Sequence, residues 1–127
     1  MWKDKEVHFA DDYMFHEADL AADTAAQVSE AFELGGTQGG IRVHGWLVGE
    51  AACASGNTIT TVLEVADAPD AADWREIASN EVAATGTALS GDIFSFIPDV
   101  DEHYMRVKVS NSTGMTGKFS VAPELIP

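Results

Sequence analysis

Residues 102–121 read EHYMRVKVSNSTGMTGKFSV. Tyr104, Arg106 and Lys108 alternate with Met105, Val107 and Val109, so an extended backbone turns an aromatic and two cations to one face and an apolar stripe to the other. Asn111, Ser112, Thr113 and Gly114 supply turn chemistry, and Phe119 and Val121 resume the alternation. The spacing predicts a β-hairpin near the middle of the fold, with the strand through Phe119 and Val121 folded back on the strand through Val107.

Moving towards the N-terminus, Ile93–Ile97 (IFSFI) is a short run, apolar on both faces and stopped by Pro98. Residues 80–91 are small and polar and predict a connection carrying a weak edge strand. Trp74–Ser79 predicts a strand anchored by Trp74, and DAPDAADW over residues 67–74 predicts a turn set by Pro69 and its aspartates. In Thr58–Ala66, Ile59, Thr61, Leu63 and Val65 alternate with Thr60, Val62 and Glu64, and β-branched residues favour a strand. Ile41–Glu50 places Ile41, Val43 and Leu47 on one face and Arg42, His44, Trp46 and Val48 on the other, with Gly45 marking a bulge or a close backbone approach. Glu30–Leu34 is a further short strand closed by Gly35 and Gly36; these glycines, with Gly39 and Gly40, lack the following Lys and helix of a phosphate loop and read as a turn. About seven or eight short strands with turns between them predict an all-β protein, a jelly-roll-like β-sandwich. The crossover helices of a parallel α/β sheet are missing from the pattern.

Residues 1–28 differ from this. Trp2, Phe9, Tyr13, Met14, Phe15 and Leu20 are mixed with Asp4, Glu6, Asp11, Asp12, Glu17, Asp19 and Asp23 in no regular period. Large apolar residues without a periodic face predict an extended or irregular N-terminal arm, residues 1–28, lying across a sandwich domain of residues 29–127. Residues 18–26 are alanine-rich, but a helix that short is marginal on its own.

The length of 127 residues suits one domain with a sizeable core and no need of disulfide or metal support. Only 7 Lys and Arg stand against 21 Asp and Glu, a formal net charge of −14, which repels phosphate backbones and anionic lipid. The expected partners are therefore proteins with basic patches, neither nucleic acid nor membrane. Cys53 has no second cysteine to bond and no neighbouring cation to activate it, so it reads as an inert thiol. The first residues, MWKDKEVHFADD, have no apolar run like that of a signal peptide, and no stretch approaches the roughly 20 apolar residues of a membrane helix. Synthesis in the cytoplasm is the expectation.

Catalytic and metal chemistry find little support. Asp99, Asp101, Glu102 and His103 are the densest cluster, but they match no EF-hand spacing and read as a solvated acidic turn, as do Asp67, Asp70 and Asp73. His8, His16, His44 and His103 share no metal-ligand spacing, and no GxSxG marks a nucleophile. No catalytic residue, cofactor or metal is expected. His44 and Trp46 fall on one strand face, an arrangement found both in core or interface pairs and in sugar platforms. Arg106 and Lys108 are scarce cations that either pair with acids on the neighbouring strand or touch acids on a partner.

Several phrases taken in order carry a resemblance. They are HFADDYMF, then SEAFELGG, then TITTVLEVADAPDAADW, then FSFIP ahead of an acidic corner, then HYMRVKVSNSTGMTGKFSVA. Together they span nearly the whole chain, and it resembles the Bbp16-type capsid cement proteins of tailed bacteriophages. The resemblance implies a non-enzymatic jelly roll on the outer surface of an HK97-fold capsid, clamping neighbouring major capsid proteins and acting as a homodimer or homotrimer. On that reading, made in the host cytoplasm and placed on the virion surface, the protein docks through Trp2, Phe9, Tyr13 and Phe15, helped by Arg106 and Lys108. The alternative is a carbohydrate-binding sandwich module using Trp46 or Trp74, with Ca²⁺ at the acidic loops.

Overall fold

The computed structural model describes residues 13–20, 26–34, 40–52, 57–84, 89–111 and 116–125. Among these residues there are nine strands and no helix: β1 Phe15–Asp19, β2 Gln27–Val28, β3 Phe32–Glu33, β4 Ile41–Ala52, β5 Thr58–Ala66, β6 Arg75–Ala83, β7 Asp92–Phe96, β8 Tyr104–Asn111 and β9 Thr116–Leu125. They form two antiparallel sheets packed face to face. One has the order β1-β9-β4-β7; the other has β2-β8-β5-β6, with β3 also on β8.

This order is that of a jelly roll. Counting β2 and β3 as one position, the first strand pairs with the last, the second with the last but one, and so inwards to β5 and β6. The described strands thus trace a long hairpin with its tip at residues 67–74, rolled until β9 meets β4 and β8 meets β5. The tip is the acidic Pro69 turn foreseen in the sequence.

The rolling overturns the expected terminal hairpin. β8 and β9 do not pair: β8 lies between β2 and β5 in one sheet, and β9 lies between β1 and β4 in the other. Residues 112–115, between them, lie outside the described residues. Alternation along the chain reports which residues face inwards, but says nothing of which sheet a strand joins. Both stripes still point where expected, since Met105, Val107 and Val109 are fully buried, as are Phe119 and Val121.

The core is the two inner stripes brought together. Ile41, Val43 and Leu47 of β4, Ile93 and Phe94 of β7, and Phe119 and Val121 of β9 face Ile59, Leu63 and Val65 of β5 and the β8 stripe. Gly45 occupies an inward position of β4 beside a shift in its register with β7; a Cβ there would lie 3.2 Å from Ile93 Cγ1 and 3.4 Å from both Phe94 Cβ and Val121 Cγ2. The missing side chain is what lets these three residues close over the strand.

Other expectations shift. The segment expected to be an arm enters both sheets in its described part, as edge strand β1 on β9 and as β2 on β8. Its lack of period has a physical origin in a bulge: between Phe15 and Ala18, two residues of β1, His16 and Glu17, oppose the single Ser120 of β9, with Glu17 at φ 49° and its amide donating to Ser120 Oγ at 2.9 Å. β6, at the edge of its sheet, runs on to Ala83 into the residues expected as a connection carrying a weak edge strand, and β9 runs through Pro123, expected to lead the chain away. Trp74 precedes β6 and is not a core anchor; its indole N–H donates to the Ala71 carbonyl at 3.0 Å. Trp2, His8, Phe9, Gly35, Gly36, Gly39 and Cys53 lie outside the described residues.

Candidate binding surfaces

With their inner faces filled, the sheets offer two outer faces. On the β1-β9-β4-β7 sheet, the outward residues of β4 stand opposite those of β9 in register: Arg42 by Glu124, His44 by Ala122 and Trp46 by Ser120. Ser120 and Ala122 point outwards yet are only 1% and 6% exposed. The rings beside them provide the cover. Trp46 lies 4.9 Å from the His44 ring and 6.1 Å from Tyr13, which stacks on His16 at 4.2 Å, so four rings form a row over a floor of small β9 residues.

Ion pairs fix one end of this row. His44 Nδ1 lies 2.9 Å from Glu124 Oε2 and His44 Nε2 lies 2.7 Å from Asp92 Oδ1, while Arg42 donates to Glu124 Oε1 through Nε at 3.1 Å and Nη2 at 2.7 Å. Burial opposes protonation of His44 most strongly, but the hydrogen bonds and charges of Asp92 and Glu124 together outweigh it and raise its pKa above the ordinary 6.5. For Glu124 the same contest, burial against Arg42 and His44, leaves the carboxyl below its ordinary value. A raised histidine contributes stability in full below its unfolded value, and that contribution is lost as pH rises through the folded one. The melting temperature should therefore fall between about pH 6 and pH 9 by more in the native protein than in His44→Gln, which at the acid end costs about 1 kcal/mol. Parallel pH slopes for the two proteins would show that His44 is not held as a cation. Glu124 acts in the opposite sense, contributing above the carboxylate range and losing its effect as pH falls through its lowered value.

The outer face of the other sheet is built differently. Glu64 of β5, 8% exposed, stands opposite Arg106 of β8 and accepts a hydrogen bond from Arg106 Nε at 2.8 Å, with Lys108 Nζ at 3.6 Å. The Arg106 guanidinium lies 4.4 Å from the centre of the Trp74 ring, a cation–π contact that covers this indole. Arg106 and Lys108 are thus engaged in the cross-strand pairing that the sequence allowed for. A hollow beside them is lined by Ser29, Glu30, Pro69, Trp74 and Arg106.

The remaining candidates separate. Tyr13 belongs to the ring row, whereas Phe15 packs inwards on Phe119 with ring centres 5.0 Å apart. Glu102, from the acidic corner, holds Arg75 through two hydrogen bonds of 2.8 and 2.9 Å. Among the described residues, no three or more His, Cys, Asp or Glu side chains are grouped to hold a metal ion. Sequence reading found the His44 and Trp46 pair but missed Asp92, Glu124 and Ser120, because only strand pairing brings residues so far apart in the chain onto one face.

No protein-family model matches the chain, and no curated protein matches it either.

Proposed function

We propose that this is a non-enzymatic capsid decoration protein that binds the outer surface of an HK97-fold phage shell and braces neighbouring major capsid proteins. The observation that carries the reading is where the resembling phrases fall. TITTVLEVADAPDAADW is β5 with the tip of the rolled hairpin, FSFIP closes β7, and HYMRVKVSNSTGMTGKFSVA holds β8 and the core-facing part of β9. The resemblance therefore follows the frame of the jelly roll and not one local motif. A brace needs contact area on the assembled shell, and it stabilises by binding that state and not the free subunits.

Docking is assigned to Trp2 and Phe9 with Tyr13, ahead of edge strand β1; Phe15 serves the core. The net charge of −14 suits basic patches on the shell and keeps copies apart before docking. The protein acts as a homodimer or homotrimer on the virion surface. Co-sedimentation with undecorated shells of the same virus tests the reading. The full chain should pellet with shells and not with dissociated subunits, and deletion of residues 1–12, which spares β1, should abolish pelleting while the melting curve persists. A full chain that stays in the supernatant would overturn the proposal.

A further inference from the structure

The geometry points to a second binding site, for a neutral saccharide, on the outer face of the β1-β9-β4-β7 sheet, with Trp46 as its stacking surface and Asp92, Glu124 and Arg42 as its polar rim. This goes beyond capsid docking and does not depend on it. A shallow hollow of about 330 Å³ lies there, lined by His44, Trp46, Leu47, Gly91, Asp92 and Glu124. That is near the lower end of ligand pockets, which run from about 300 to 1,000 Å³, and suits one or two sugar rings.

A pyranose has an apolar C–H face and a girdle of hydroxyls that both donate and accept. The hollow matches both parts. The indole of Trp46 offers the flat apolar surface, kept in place by the His44 and Tyr13 rings over Ser120 and Ala122. Asp92 has one oxygen on His44 and a side chain 68% exposed, so its second oxygen remains available to a hydroxyl. Glu124 and Arg42, partly exposed and locked to each other, add an acceptor and N–H donors. These groups are oriented before any ligand arrives, which lowers the ordering cost of binding.

Charge selects among ligand classes. Arg42, and His44 whenever it is protonated, already faces the Glu124 and Asp92 carboxylates, so a cationic ligand would have to displace a partner. An anionic sugar would meet the field of a chain with net charge −14. An uncharged, hydroxyl-rich ligand meets neither obstacle. Both tryptophans of the sheet faces border a hollow, but the Trp74 ring already carries the Arg106 guanidinium on one side, whereas among the described residues no guanidinium lies over Trp46.

The test is a glycan array carrying neutral and anionic glycans, probed with the full chain, followed by titration of the best neutral hit into the native protein and three variants. Neutral glycans should bind. Trp46→Ala and Asp92→Asn should each weaken binding about tenfold or more. Trp74→Ala should leave it unchanged. Asp92→Asn alters an exposed rim residue, so it remains informative if Trp46→Ala fails to fold. An array with no neutral hit, hits confined to anionic glycans, or affinity that survives Trp46→Ala and falls with Trp74→Ala would each overturn the inference. Shell co-sedimentation of Asp92→Asn, whose side chain bonds His44 and not the docking residue Tyr13, should stay normal, which separates the two activities.

Discussion

Phe119→Ala should be the most damaging truncation in the core, lowering stability by about 3–5 kcal/mol. Phe119 is wholly buried in β9, which lies between β1 and β4, and its ring meets Phe15 on one side while its backbone stands opposite Leu47 on the other. Removing the ring deprives three strands of one shared contact, and the rigid sheet cannot collapse to fill the space. Set against a typical total of about 5–15 kcal/mol, the loss is a large fraction. Thermal melts should show a fall of roughly 10–20 °C. Phe119→Leu, which keeps most of the volume, should lose much less. A loss below about 1 kcal/mol for the alanine variant would mean that β9 does not occupy the centre of its sheet.

Gly45→Val should come next, with a cost of about 3 kcal/mol or more and poor recovery of folded protein. The position faces inwards, and the first added carbon already sits 3.2 Å from Ile93 Cγ1. Valine adds two further carbons to a space already bounded at 3.4 Å by Phe94 and Val121, both held by their own strand pairings. Gly45→Ala should be milder, since Ile93 Cγ1 needs to yield by only a few tenths of an ångström. Urea unfolding of the two variants measures the difference directly. Equal stability for valine and glycine would show that the sheets are not closed at this point.

Much of this fold could be read from alternation. The inward stripes of β4, β5 and β8 fall where period two puts them, and a glycine within the alternation of β4 signals a bulge or a close approach at Gly45. Pairing could not be read in that way. Residues 102–121 look like a hairpin because strand, turn and strand follow one another, and a jelly roll uses the same local signals to carry the chain from one sheet to the other. β1 was hidden because the bulge at Glu17 breaks its period. The candidate sugar site was half legible: His44 and Trp46 are two residues apart on β4, whereas Asp92 and Glu124 arrive on β7 and β9 from 48 and 80 residues away. Arg106 and Lys108 show the converse case, where ordinary cross-strand complementarity to Glu64 accounts for cations that stood out by their rarity.

Among the described strands, β5 and β6 are the only sequence neighbours that pair, and β9 fills the space between β1 and β4. During synthesis, one early unit can therefore form, while β1 and β4 emerge from the ribosome with nothing between them until β9 follows. Until then their apolar stripes stay open to other nascent chains. Production at lower temperature or with a holding chaperone should raise the soluble yield, because the danger lies in the wait and not in the finished molecule.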